Sequence, residues 1–122
     1  MKYKIEFYQN VSGYSPVWEF LESLRTKSVS NKDARIQYKQ ATLYIQLLED
    51  NGTHLPENIT KHIENDIWEL RPGNNRIFYF YHKDNTYVLL HSFRKKTQKT
   101  PKREIIRAKA ERDDYLKQKE DN

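Results

Sequence analysis

The chain has 122 residues and a mass of 14.8 kDa, with 36% hydrophobic residues, 32% charged residues and a net charge of +5. This is the length of one domain with a modest hydrophobic core, and the 13% aromatic content argues against intrinsic disorder. The absence of cysteine excludes disulfides and thiolate metal sites, and no apolar run approaches the roughly 20 residues of a membrane-spanning helix.

Alternation of apolar and polar residues predicts a first strand over Lys2–Tyr8. Ser15-Pro16 is typical of a helix start, because the hydroxyl caps free N–H groups and proline tolerates the first turn. Asn31 predicts the start of a longer second helix, which ends at Asn51-Gly52. The predicted buried residues of the two helices are Val17, Phe20, Leu21 and Leu24, then Ala34, Tyr38, Ala41, Ile45 and Leu48.

The stretch Ile67–Pro101 predicts three strands, because β-branched and aromatic residues alternate with two turn signals. The turns are Pro72–Asn75 and Asp84-Asn85, which are rich in residues that tolerate a positive φ. The preceding segment, Ile59–Ile63, fits either a short strand or an extended connection.

Thr100-Pro101 begins a predicted terminal helix with apolar residues at Ile105, Ile106, Ala108, Ala110 and Tyr115. A polar tail over Lys117–Asn122 is expected to fray. The resulting order is β-α-α-β-β-β-α, an α+β fold with a mostly antiparallel sheet, in a single domain over residues 1–122. We expect the helical hairpin to cover one sheet face and the other face to be free for functional side chains.

Two arginines flank the first turn of this sheet. With a four-residue loop, Arg71 lies opposite Arg76, and both share a face with Glu69. With a three-residue loop at the second turn, Arg76 lies opposite Ser92, so that Arg94 joins the same face. Three guanidinium groups against one carboxylate suit a phosphate-rich ligand, although simple pairing of the arginines with Glu69 is an equal alternative. The opposite, core face would carry Trp68, Leu70, Ile77, Tyr79, Tyr81, Leu89, His91 and Phe93.

Positive charge is concentrated in residues 94–112, where nine lysines and arginines stand against two glutamates. The local net charge is +7, so the rest of the chain carries −2 of the total of +5. Such a segment is typical of nucleic-acid binders, and its alternative is a solvated terminal helix. The predicted RNA contacts are Arg94, Lys99, Lys102, Arg103 and the aromatic ring of Phe78.

The sequence has no set of residues typical of a metal site, a Ser-His-Asp triad or a glycine-rich phosphate loop, so we expect no metal and no cofactor. RNA cleavage without a metal needs only orientation of the backbone, proton transfer and stabilisation of charge on the phosphate. His91 fits either a general acid/base or, more readily, a hydrogen-bonded structural histidine. Phe78, Tyr8 and Tyr115 fit either stacking on a splayed base or packing in the core.

At IWELRPGNNRIFYFY and LLHSFRKKTQKTPKREIIRAKAERDDY the chain resembles the HigB branch of the RelE/ParE toxin superfamily. The resemblance implies a RelE-like fold and the toxin of a type II toxin–antitoxin system, which cleaves mRNA on the ribosome in the cytoplasm. It also implies inhibition by a HigA-like antitoxin with a helix-turn-helix domain, and repression of the operon by the complex.

The resemblance also suggests site residues. Arg71 and Arg76 match the hairpin arginines of the family, and Lys95-Lys96 match its basic pair. His91 matches a position that is often histidine in this branch. Glu69 stands where some relatives have lysine, which argues against lysine-based proton transfer from that position.

Three functions are therefore compared. The leading interpretation is a metal-independent, ribosome-dependent endoribonuclease in which Arg76→Ala abolishes toxicity and, as a surface substitution, leaves the fold intact. The alternative is a ParE-like inhibitor of DNA gyrase without nuclease activity. The third is an accessory protein that binds an antitoxin and has no activity of its own.

Overall fold

The computed structural model describes residues 2–120 and shows an α+β fold. The elements in chain order are β1 (Lys4–Phe7), α1 (Pro16–Lys27), α2 (Lys32–Asn51), β2 (Thr60–Glu64), β3 (Ile67–Leu70), β4 (Asn75–Tyr81), β5 (Thr86–Arg94) and α3 (Lys102–Glu120).

The strands form one sheet in the order β1-β5-β4-β3-β2, in which β1 is parallel to β5 and the other neighbours are antiparallel. The predicted fold class is confirmed. The segment for which the sequence left two possibilities is strand β2, which gives the order β-α-α-β-β-β-β-α. A tight connection joins it to β3, because Asn65 adopts a positive φ of 52°.

The residues predicted to begin and end the helices cap the hairpin of α1 and α2 as expected. The Ser15 hydroxyl accepts a hydrogen bond from the Trp18 N–H at 3.4 Å, and the Asn31 side chain accepts one from the Ala34 N–H at 2.9 Å. Gly52 ends α2 with a φ of +59°, and a Cβ there would lie 2.8 Å from the Tyr3 ring. Capping and a required glycine therefore fix where both helices begin and where α2 ends.

Helices cover both faces of the sheet. The α1–α2 hairpin packs on one face over a core that includes Val17, Leu48, Leu70, Tyr79 and Leu89. Helix α3 packs on the other face over a core that includes Phe78, Phe80, Val88, Ala108 and Tyr115. The expectation that this second face of the sheet would be free is wrong for its central part, which α3 covers. Arg71 and Arg76 lie at the end of the same face.

Helix α3 differs in detail from the predicted helix. Ile106, which is 66% exposed, and Ala110 face outward, whereas Glu111 is buried against the sheet. The helix also continues to Glu120 through the first part of the predicted tail, and residues 121–122 lie outside the described residues.

A β-bulge in β5 changes the predicted register. The three-residue second loop is confirmed, because the His82 N–H donates to the Thr86 carbonyl at 2.9 Å, and Tyr79 pairs with Leu89 as the loop requires. The register then shifts by one residue, so that Phe78 pairs with His91. An extra residue reverses the orientation of every side chain that follows it.

The bulge overturns part of the predicted face assignment. His91 and Phe93 belong to the α3 face, where both rings contact Phe78, and not to the hairpin face. Arg94 pairs with Asn75 rather than sharing a face with Arg76. Tyr81, also predicted in the core, is 45% exposed at the end of β4.

Within residues 2–120, none of the helices combines the length and the apolar character that crossing a membrane requires.

Candidate functional site

Two arginines and a glutamate meet at the β3–β4 turn. The Glu69 Oε2 atom lies 3.3 Å from the Arg71 Nε and 3.7 Å from the Arg76 Nε. The register pairs Leu70 with Ile77, the last pair before the turn, which places the two arginines opposite each other as predicted.

The turn itself holds the Arg76 guanidinium. Its Nη1 donates to the carbonyl oxygens of Gly73 and Asn75, both at 2.8 Å. The residue is only 7% exposed, and burial lowers its pKa, while Glu69 opposes that shift. Arg76 is thus a pre-oriented cation and not the surface arginine that the sequence suggested.

The basic segment after β5 closes over the same turn. The Lys95 N–H donates to the Asn74 carbonyl at 2.7 Å. A cavity of about 380 Å³ lies there, lined by Asn74, Arg76, Lys95, Lys96, Thr97 and Gln98. We call Arg71, Arg76, Lys95 and Lys96 the basic cluster. Arg71 does not line the cavity, and Glu69 links it to Arg76, which does.

A second cavity of about 420 Å³ continues the first. Lys96 and Thr97 line both cavities, and the second is also lined by Phe93, Arg94, Pro101, Arg103 and Glu104. Among the predicted RNA contacts, Arg94 and Arg103 therefore lie beside the basic cluster, and Lys99 and Lys102 are exposed on the same segment.

Arg94 nevertheless lies apart from Glu69. Its Nη1 contacts the side-chain oxygens of Gln37 on α2 at 3.0 Å and of Asn75 at 3.5 Å. The predicted convergence of three arginines on one face is wrong, because the β5 bulge turns Arg94 toward α2.

Residues 19–113 match the sequence profile of the family described as phage-derived protein Gp49-like. The chain belongs to the Gp49-like family. No curated protein sequence matches it. The Gp49-like family is a toxin-like, RelE/ParE-like family, and it therefore implies an antitoxin partner in general terms.

Glu69 is a functional candidate of this Gp49-like chain that was not among the site residues predicted from the sequence. It is 3% exposed, and its Oε1 has no hydrogen-bond partner among residues 2–120. Burial raises the pKa of Glu69, and nearby cations, first Arg76 and then Arg71, oppose this shift. A carboxylate two residues before Arg71 in an otherwise apolar strand was the available signal, but its burial depends on the neighbouring strands.

His91 is enclosed beneath α3. It has no exposed surface, and its Nδ1 and Nε2 lie 2.5 Å from the Glu111 Oε1 and 2.9 Å from the Glu104 Oε1, respectively. Both ring nitrogens are thus occupied within the fold. This is the geometry of the hydrogen-bonded structural histidine that the sequence favoured over a general acid/base.

The three aromatic residues considered for base stacking are all in the core. Phe78 has no exposed surface, and Tyr8 and Tyr115 are each 6% exposed. The Tyr8 hydroxyl donates to Asp114 and the Tyr115 hydroxyl donates to Glu6. The prediction that Phe78 contacts RNA is wrong in this arrangement, because its ring packs edge-on against His91 and Phe93.

Much of the positive charge on α3 is neutralised within the fold. Lys109 pairs with Glu64, Arg112 with Asp66, and Arg107 with Glu111. In the described part of the chain, no carboxylate lies within 4.0 Å of the side-chain nitrogens of Lys95, Lys96, Lys99 or Lys102. These unpaired lysines therefore lie between the end of β5 and the start of α3, and two of them, Lys95 and Lys96, line the cavities.

A larger cavity, of about 700 Å³, lies between β1 and α1. Glu6, Glu19 and Trp18 contribute to its lining. Because its charged residues are acidic, it is a poorer site for a phosphate than the smaller cavity beside the basic cluster.

Proposed function

We propose that this Gp49-like chain is the HigB-type toxin of a type II toxin–antitoxin system and a metal-independent, ribosome-dependent mRNA endoribonuclease. One observation carries the proposal. Arg76, Lys95 and Lys96 line a single cavity, in which a buried, turn-anchored guanidinium stands beside two lysines without ion-pair partners among residues 2–120.

The proposed reaction is a transesterification within the RNA. The 2′-oxygen of one nucleotide loses its proton and attacks the adjacent phosphorus, and the 5′-oxygen of the next nucleotide leaves and takes up a proton. The products are a 2′,3′-cyclic phosphate and a 5′-hydroxyl. Negative charge develops on the phosphoryl oxygens, where Arg76, Lys95 and Lys96 would stabilise it.

The composition of the basic cluster supports the proposed dependence on the ribosome. Its four members supply positive charge, whereas His91 is enclosed under α3. Orientation of the message by the ribosome would compensate for weak proton transfer, because positioning alone can supply several powers of ten in rate. We expect little cleavage of free RNA and clear cleavage of translated messages.

The proposed inhibitor is a HigA-like antitoxin with a helix-turn-helix domain, and the complex would bind operator DNA through the antitoxin. The unpaired lysines of the 95–102 segment provide the surface for an acidic portion of this partner.

A cell-free translation reaction tests the function directly. The purified chain, added to this reaction, should cut the message within ribosome-bound codons. Treating the chain with a chelator beforehand should not change this result. Lys96→Ala should greatly reduce cutting, whereas Lys39→Ala, which removes an exposed lysine from α2, should leave it unchanged. Arrested synthesis with an intact message, or inhibition of gyrase supercoiling at similar doses, would favour the gyrase-inhibitor alternative.

A further inference from the structure

The basic cluster contains a buried carboxylate that is incompletely paired. The Glu69 Oε2 contacts Arg71 and Arg76, whereas its Oε1 has no hydrogen-bond partner among residues 2–120. An ionised carboxylate is unfavourable in such surroundings unless cations compensate for its lost hydration. Burial accordingly raises the pKa of Glu69 in spite of the neighbouring arginines.

Charged groups face Glu69 from each neighbouring part of the site. They are Lys61 on β2, Arg71 after β3, Arg76 on β4 and Lys95 after β5, and all four act to lower the pKa of Glu69. Two of these cations, Arg76 and Lys95, also line the cavity. A phosphate and the Glu69 carboxylate would therefore compete for the same positive charge.

Protonation of Glu69 would remove this competition. An anion in the cavity places negative charge next to Arg76 and Lys95, which weakens their stabilisation of the ionised carboxylate. The neutral carboxyl group no longer attracts the Arg76 guanidinium, whose positive charge then acts on the phosphate in the cavity. No other carboxylate lies within 4.0 Å of either arginine side chain among residues 2–120.

We propose that Glu69 takes up one proton from solvent when a phosphate group of RNA binds beside Arg76 and Lys95. Glu69 is a positioning residue in this scheme: its negative charge pairs with the guanidiniums in the empty site, and protonation removes that charge in the filled site, while the turn carbonyls keep Arg76 in place. The inference rests on the proposed function, since it takes the cavity to be a phosphate site.

Proton uptake on binding has a thermodynamic counterpart. If the anion favours the protonated form, then protonation must favour the anion by the same factor. For one linked proton, affinity falls by up to about tenfold per pH unit between the pKa of the free site and that of the filled site. The coupling can therefore be measured either as a change in the titration of Glu69 when the anion binds or as a change in anion affinity with pH.

Sulfate is a suitable probe, because its own charge stays constant from about pH 5 to about pH 8, so that only protein groups titrate. Carbon NMR of the Glu69 carboxyl group, followed through a pH titration of the intact chain, should show a higher midpoint with saturating sulfate than without it. Sulfate affinity should fall as the pH rises, whereas in Glu69→Gln it should be independent of pH. Glu64→Gln alters a carboxylate that pairs with Lys109 outside the cluster, and should behave like the parent chain.

The outcomes separate the two proposals. Sulfate binding with an unchanged Glu69 midpoint would overturn the coupling and leave the phosphate site standing. A pH dependence that persists in Glu69→Gln would assign the linkage to histidines and would likewise overturn it. Absence of sulfate binding at every pH would overturn the phosphate site and the coupling together.

Discussion

Arg76 combines a structural and a proposed chemical role in one side chain. Its guanidinium bonds to two carbonyl oxygens of the turn and faces Glu69. Arg76→Ala should therefore lower the free energy of unfolding by about 1–3 kcal/mol, because buried polar groups lose their partners. It should also reduce message cutting by about 10²–10³-fold. Urea denaturation and a cutting assay at a temperature where the variant is folded measure the two effects.

Substitution of Lys96 is the counterpart of Arg76→Ala, because it should reduce activity without reducing stability. It is exposed and lines both cavities of the candidate site. Lys96→Ala should change the free energy of unfolding by less than about 0.5 kcal/mol and still lose most of the cutting activity. Full activity in Lys96→Ala would remove this lysine from the proposed mechanism.

Glu69 gives a stability prediction with a definite sign. Its folded-state pKa is raised above the usual 4.5, so the folded chain binds more protons than the unfolded chain just above that pH. Its contribution to the free energy of unfolding must then fall as the pH rises from about 4.5 through the raised pKa, and stay constant above it. Urea denaturation of the parent chain and of Glu69→Gln should show that the difference between their free energies of unfolding shrinks or reverses as the pH rises over this range.

Glu64 provides the control of opposite sign. Its bond with Lys109 lowers its pKa below 4.5, so its stabilising contribution is present above that pH and is lost as the pH falls through the lowered pKa. A Glu64→Gln variant should lose stability relative to the parent chain mainly at the higher pH values. The same direction of change in both variants would contradict the assignment of opposite shifts.

At the scale of elements, His91 joins helix α3 to the sheet. Its ring lies between Glu104 and Glu111 of the helix, and each ring nitrogen is within hydrogen-bond distance of one of these carboxylates. His91→Phe leaves these carboxylates facing an apolar ring and should destabilise the fold by about 3 kcal/mol or more. Adding Glu111→Gln should recover part of the loss, which a double-mutant cycle by urea denaturation would measure. If the two substitutions changed the free energy of unfolding additively, this would contradict a direct interaction between His91 and Glu111.

At the scale of the whole molecule, the distribution of charge determines the expected mode of inhibition. Ion pairs to Glu64 and Asp66 neutralise Lys109 and Arg112 of α3, while the lysines of the 95–102 segment stay unpaired among residues 2–120. Antitoxin binding should weaken with added salt, mainly through a slower association rate. Lys99→Ala should reduce this salt dependence, and Lys39→Ala on α2 should not. Salt-independent association would contradict an electrostatic role for the segment.

Local signals in the sequence were sufficient for much of this fold. Ser15, Asn31 and Gly52 act through their own side chain or backbone within a few residues, so the helix ends could be predicted from neighbouring residues alone. The pairing of Arg71 with Arg76 followed in the same way from the length of one turn. The resemblance to RelE/ParE-like toxins agreed at family level with the Gp49-like match.

The tertiary structure decided what depends on partners distant in sequence. One extra residue in β5 turned Arg94 toward α2 and His91 beneath α3, and alternation along a strand carries no signal for such a bulge. Burial of Arg76 and Glu69 likewise arises only when the turn, β2 and the 95–102 segment close around them. The sequence by itself determined the elements other than β2, and the identity of the basic residues. The packing of the sheet between its helices decided which of those residues face one cavity, because burial and orientation depend on neighbours that the chain brings together only when it folds.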